Sequence, residues 1–199
     1  MTQPAAEPSK RRTQAERSAM MRKQLMDAAR ALFIAKGYAE TGTPEIVAAA
    51  QVTRGALYHH FAGKQDLFKA VCIHEAEAVA DAIEQATCDE QDTQRALTIG
   101  SVAYFDAMNV QGRAALLLLE APAALGQEEA AKLTSLNGLA PLRMGLAQAL
   151  PQAESAAIDA MADIMSAAFD RTALAIAMGG DRSTYIDAML RLVARAIST

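Results

Sequence analysis

The chain has 199 residues, 52% of them hydrophobic and 5% aromatic, with no Trp, two Cys and a formal charge of −4. Abundant alanine and few β-branched residues outside loops favour helix over sheet, so the expected fold is all-α. The strongest apolar block, Leu116 to Leu119, is too short to span a bilayer, and Cys72 and Cys88 have no metal-motif spacing, which points to a soluble, cytoplasmic protein.

Charge is unevenly spread. Residues 1–70 carry 11 Lys/Arg against 6 Asp/Glu, whereas residues 71–199 carry 8 against 17. A basic head on an acidic body suits a protein that presents one end to a polyanion.

Residues 1–12, MTQPAAEPSKRR, hold two prolines and end in a basic triplet; they read as a flexible tail, either a solvated leader or an arm that meets phosphate or the minor groove. Thr13 to Glu16 fits a capping box. The helix it opens carries Leu25, Ala28, Ala29, Leu32 and Phe33 on one stripe and is expected to stop at Gly37. Thr43-Pro44-Glu45 reads as a helix start with Thr43 as cap, and Ile46, Val47, Ala49 and Ala50 make a short apolar helix. Gln51-Val52 is the turn. Thr53 then caps a second short helix, Arg54 to Phe61, whose Leu57 and Phe61 share an inward face while Arg54, Tyr58 and His59 fall on others. Gly55 and Ala56 add no bulk between those polar groups. Two short helices joined by a tight turn make a helix-turn-helix, and the second presents guanidinium, phenol and imidazole groups that can enter a major groove.

Residues Gln24 to Val71 resemble the N-terminal domain of the TetR family of bacterial transcriptional repressors. The features that carry the resemblance are Ala28-Ala29, Leu32-Phe33, Lys36-Gly37-Tyr38, Thr43, Ile46, Ala50 and Val52-Thr53, then Gly55, Leu57-Tyr58, His60-Phe61, Lys64 and Leu67-Phe68. The family usually has glycine where this chain has Gln51; a left-handed Gln51 would carry strain of ~1 kcal/mol. Mechanism and resemblance together assign Arg54 as a base reader and Thr43, Tyr58, His59 and Lys64 as phosphate contacts, with Thr53, Gly55 and Ala56 completing the DNA-facing set. His60 reads as structural.

Lys64 to about Ala86 is one long helix in which the boundary between head and body falls. Thr87 to Asp92 is a loop, and Gln94 to Met108 is helical. Asn109 to Gly112 is a break, and a strongly apolar helix from Arg113 is expected to end or kink at Glu120-Ala121-Pro122. The run LLLLEAPAALG resembles a stretch of many family members. Glu128 to Leu150 is helical with interruptions near Asn137-Gly138 and Pro141. Ser155–Met178 and Arg182–Ile197 are two clear helices. The first is apolar on more than one face and so needs two partners, its own body and the same pair in a second subunit. The resemblance implies that arrangement, and Leu174, Tyr185, Met189, Leu192 and Val193 are the expected dimer contacts.

The sequence divides as a tail (1–12), a three-helix DNA-binding domain (13–70) and a larger helical effector-binding and dimerisation domain (71–199). In the last, Met108, Leu117, Leu136, Met144, Met161, Met165 and Phe169 are candidate pocket residues, with Tyr104, Arg113 and Glu120 as polar anchors. No GxSxG elbow, HExxH or phosphate-cradling glycine loop is present, so no catalytic residues are expected, and no cofactor. His59-His60 and Cys72/His74 diverge on their helices, so no metal is expected either. The reading is a homodimeric regulator, a repressor released from a pseudo-palindromic operator by a small, largely apolar effector, with half-sites roughly 34–36 Å or a multiple apart. The rivals are an effector-binding protein or enzyme with a vestigial head, and an activator with the same fold.

Overall fold

The computed structural model describes residues 13–198, and the expected tail lies outside them. Within them every regular element is helical, as composition and periodicity predict. The elements are α1 (Gln14–Glu40), α2 (Thr43–Ala49), α3 (Arg54–His60), α4 (Lys64–Thr87), α5 (Thr93–Met108), α6 (Arg113–Ala115) and α7 (Ala121–Leu125). They continue with α8 (Gln127–Thr134), α9 (Ala140–Ala149), α10 (Ser155–Ala177) and α11 (Arg182–Ala196). Two π-helical turns, Leu116–Glu120 and Ser135–Leu139, join α6 to α7 and α8 to α9.

Thr13 opens α1 with the expected reciprocal cap: the Glu16 N–H donates to Thr13 Oγ1 at 3.2 Å and the Thr13 N–H to Glu16 Oε2 at 2.7 Å. Gly37, at φ 81°, breaks the helical path three residues before the element ends. The Tyr38 N–H beyond it donates to Glu120 Oε2 at 3.0 Å, across to the π turn. A Cβ at residue 37 would stand 3.2 Å from Glu120 Oε1, so glycine provides both the left-handed conformation and room for the carboxylate.

One expectation about helix ends needs correction and another is narrowed. Thr43 is not the cap of α2; Gly42 is, and the Glu45 carboxylate accepts its N–H at 3.3 Å, leaving Thr43 as the first helical residue. Of the two outcomes expected at Glu120-Ala121-Pro122, an end or a kink, the end does not occur. The Ala121 N–H reaches back five residues to Leu116 O, so the wider turn absorbs the proline and the helix runs on to Leu125.

One continuous core runs through the chain. Leu25, Ile46, Leu57, Phe61 and Phe68 fill its head end, and Val79, Phe105, Leu117, Phe169 and Val193 its body end, with α4 passing through both. Each such side chain stabilises by roughly 1.5–3 kcal/mol when fully buried. Edge-to-face rings pin both ends: Phe33 on Phe68 at 5.0 Å, and Tyr104 on Phe169 at 5.5 Å. At the junction, the buried Glu75 of α4 accepts from Arg30 Nε of α1 at 2.8 Å and from Arg113 Nε of α6 at 2.7 Å.

Candidate nucleic-acid interface and effector cavity

The exposed end of the head is built from α2, the turn and α3. Ala50 and Ile46 are buried beneath α2, and Leu57 and Phe61 beneath α3, so hydrophobic burial fixes which face of α3 looks outward. Gln51 makes the turn at φ 54°, the left-handed conformation for which glycine is usual. The Val52 N–H closes back on Val47 O at 3.0 Å. Thr53 caps α3, accepting the Ala56 N–H at 3.1 Å.

This geometry leaves Thr53, Arg54, Gly55, Tyr58 and His59 exposed together, with Ala56 half-buried among them and Thr43 half-buried at the start of α2. The Arg54 guanidinium lies over the Tyr58 ring, 5.5 Å from its centroid, which orients the fork without spending its donors. A Cβ at Gly55 would meet only Thr53 Oγ1, at 3.8 Å, so glycine leaves the surface low and backbone can approach closely. His60 is half-buried; burial, then the positive charges of His59 and Arg22, hold its pKa below the ordinary value. It is therefore a neutral packing group at neutral pH.

Lys64 is placed differently from the expectation. Its Nζ donates to Tyr38 O at 2.9 Å and lies 4.2 Å from the centre of the Tyr38 ring. The carbonyls at the end of α1 are electron-rich, and Tyr38 O, which also accepts the Thr41 N–H at 3.4 Å, draws in the ammonium that sequence reasoning gave to phosphate. Other head cations are also engaged: Lys23 with Asp27, Lys36 with Glu45, Arg30 with Glu75 and Lys69 with Glu129. Among the described residues of the head, Arg17, Arg22 and Arg54 are the arginines outside any ion pair.

A cavity of about 270 Å³ lies in the body between the end of α4, α5, the second π turn, α9 and α10. Of the expected pocket residues, Tyr104, Met144 and Phe169 line it. Leu136 is exposed outside the lining; Met108, Leu117 and Met165 are instead buried in the core, and Met161 packs half-buried against it. Arg113 is turned away by Glu75 and by Ala107 O, to which its guanidinium donates at 2.6 Å; Glu120 is held by the Tyr38 N–H. The six other than Leu136 were chosen for softness or polarity, but contacts closer in space than the cavity claim them.

Sequence reasoning missed Thr87, Glu90, Ser101, Gln148 and Ser166 in the lining. It also missed Asp170, which accepts the Tyr104 hydroxyl at 2.6 Å. Asp170 sits between Phe169 and Arg171, where no local pattern singles it out.

The comparisons with known proteins fit this geometry. Residues 25–71 match the family model described as bacterial regulatory proteins, tetR family, a span that holds the helix-turn-helix and the start of α4. Residues 25–71 are thus a TetR-family N-terminal domain. It is 30% identical over 99 residues to the HTH-type transcriptional activator FasR of Mycolicibacterium smegmatis, a match covering 50% of this chain and 45% of that protein. To the HTH-type transcriptional regulator AcrR of Shigella flexneri it is 46% identical over 50 residues, 25% of this chain and 23% of that one. The chain thus spans less than half the length of the curated relatives it matches. A TetR-family transcriptional regulator from Syntrophomonas wolfei superposes with a TM-score of 0.77 at 15% identity, covering 90% of this chain and 96% of that one, so the TetR fold extends over the body as well as the head. Among the described residues no helix is long and apolar enough to cross a membrane.

Proposed function

We propose that this TetR-family protein is a sequence-specific DNA-binding repressor that works as a homodimer and leaves its operator when a small molecule fills the body cavity. The observation that carries this is the free polar face of α3, with Arg54, Tyr58 and His59 exposed over a sealed apolar face. Arg54 reads guanine through a bidentate contact, and Thr43, Thr53, Tyr58, His59 and the backbone near Gly55 set the register on phosphate. The head spans residues 13–70 and the effector-binding and dimerisation body residues 71–199.

The partner surface has its own support. On α10, Ala157, Ala160, Ile164, Ala167 and Arg171 are all exposed at alternating spacings of three and four, ending near Met178. Ile164 is 72% and Met178 78% exposed, and Tyr185 and Leu192 of α11 are exposed beside them. That seam is what a second copy would cover in a four-helix interface. Met189 and Val193, expected in the interface, are buried within their own subunit, and Leu174 is half-buried.

Support for an intact head over a vestigial one comes from the turn, in which Gln51 takes the left-handed conformation that glycine usually takes there. Selection of bound oligonucleotides from a random pool tests the reading: enrichment of a two-fold-symmetric site supports it, and no enrichment at physiological salt refutes it. A reporter placed behind the selected site then separates repression from activation.

A further inference from the structure

The polar groups of the cavity are arranged to accept protons. Three hydroxyls that line it have already committed theirs: Thr87 donates to Ile83 O at 2.8 Å, Ser101 to Leu97 O at 2.6 Å and Tyr104 to Asp170 Oδ1 at 2.6 Å. A hydroxyl with its proton spent offers a ligand only oxygen lone pairs. The Tyr104 phenol keeps its proton at physiological pH, because burial first and then the Asp170 carboxylate push its pKa well above the ordinary value. Its oxygen is made more electron-rich by that charged partner.

Glu90 is the one charged side chain in the lining, and it is an acid. Its carboxylate is half-buried at the cavity mouth, holds the Asp92 N–H at 2.9 Å and is met by Arg95 from the solvent side. No Lys or Arg lines the cavity. Asp170, behind Tyr104, makes no ion pair among the described residues. The remaining neutral groups, Gln148, Ser166 and Thr93, serve donors and acceptors alike. Phe169, Met144 and Leu97 supply an apolar wall.

We propose that the effector of this protein is a small organic amine, bound as its ammonium, with its head directed to the acceptors of Glu90, Ser101 and Tyr104 and its apolar body against Phe169 and Met144. An acid of the same shape is disfavoured: its carboxylate would lose hydration to face Glu90, and the nearby Arg95 is already paired with that carboxylate at 3.1 Å and does not line the cavity. The volume, below the usual range for drug-sized ligands, restricts the ligand to a small one. The inference rests on the cavity being the effector site, and it adds the chemical class.

The test uses the full chain and three probes that share one ring and differ in the head: cyclohexylmethylamine, cyclohexylmethanol and cyclohexanecarboxylate. Calorimetric titration should rank them amine, alcohol, acid, with the amine about tenfold or more tighter than the acid. Glu90→Gln should remove most of that gap, and Tyr104→Phe should weaken the amine and alcohol several-fold while leaving the acid unchanged. Glu90 lies at the cavity mouth, so its variant remains informative if Tyr104→Phe unfolds. An acid that binds as tightly as the amine, a gap unaffected by Glu90→Gln, or no binding by any of the three to folded protein overturns the proposal. Operator retention is measured on the same samples. Amine binding with the expected ranking but no loss of operator retention upholds the ligand class and refutes release by effector; intact operator binding with no head-group ranking refutes the ligand class alone.

Discussion

Arg113 and Glu75 meet at 2.7 Å inside the protein, and Arg30 closes on the same carboxylate from the other side at 2.8 Å. The three residues come from α6, α4 and α1, so this buried cluster ties α1 of the head and α6 of the body to α4, which runs through both. Removing one partner from a buried ion cluster leaves an uncompensated charge. Glu75→Gln is therefore expected to lower the unfolding free energy by roughly 3 kcal/mol, measured by urea denaturation. A change within ~0.5 kcal/mol would mean that water already solvates the cluster.

The same carboxylate gives a pH dependence with a definite sign. Burial pushes the Glu75 pKa up, but the hydrogen bonds and charges of Arg30 and Arg113 outweigh burial and leave it below the ordinary glutamate value. A depressed folded pKa contributes stability that is present above the unfolded pKa and lost as pH falls through the folded one. The wild type should thus lose stability on the acid side of the ordinary glutamate range more steeply than Glu75→Gln. Denaturant midpoints across that range, compared between the two proteins, check this; parallel curves would assign the acid sensitivity elsewhere.

Arg54 is free of any ion pair and stacked on Tyr58, so it is presented rather than consumed. Arg54→Ala should weaken specific operator binding by ~1–3 kcal/mol and relax sequence choice at one position of each half-site. Arg54→Lys should recover phosphate attraction but not that choice, since an ammonium lacks the fork. Mobility-shift titrations against the selected site and its single-base variants measure both effects.

Lys64 makes a contrasting case. It sits on the Tyr38 carbonyl and ring, so Lys64→Met should cost ~1 kcal/mol of stability and leave the salt dependence of DNA binding close to that of the wild type. A salt slope reduced by about one, with unchanged stability, would show that the ammonium leaves Tyr38 for a phosphate.

How far the sequence carries can be judged from these residues. The helix-turn-helix was legible because its determinants are local: Thr53 as cap, Leu57 and Phe61 four apart, and glycine or a substitute for it in the turn. Helix periods in the body were legible for the same reason. The partners of Lys64, Arg113 and Tyr104 lie 26, 38 and 66 residues away, and no periodicity encodes such meetings. The cavity was only partly legible, because the residues lining it are largely small and polar ones, such as Gly100, Ser101 and Gly145, whose role comes from the space they leave. Softness pointed to Met108 and Met165, which fill the core, as readily as to Met144, which lines the cavity.

Gln51 tests the local reading directly. At φ 54° it occupies a conformation that costs a non-glycine residue about 1 kcal/mol, although glycine brings more unfolded-state entropy. Gln51→Gly should therefore leave stability unchanged or raise it by up to ~1 kcal/mol, with operator affinity retained. Gln51→Val should lower stability by about 1–2 kcal/mol, because a β-branched side chain is strained further in that region. Equal stability of the glycine and valine variants would mean that the turn rearranges when the residue changes.

The exposed seam on α10 gives a prediction about assembly. Ile164 contributes nothing to its own subunit's core, being 72% exposed, so changing it should leave the fold intact. If a second copy covers it, Ile164→Glu places two carboxylates near the two-fold axis and removes apolar area worth roughly 1.5–3 kcal/mol per side chain. Sedimentation should then show monomer at concentrations where the wild type is a dimer, while circular dichroism and thermal unfolding of the separated subunit keep their helical signature. Operator binding should fall far more than any α3 variant lowers it, because two heads that bind independently lose the effective concentration that one dimer gives the second half-site. A variant that remains dimeric would move the interface to another face, and one that is monomeric with full operator affinity would show that a single head is enough.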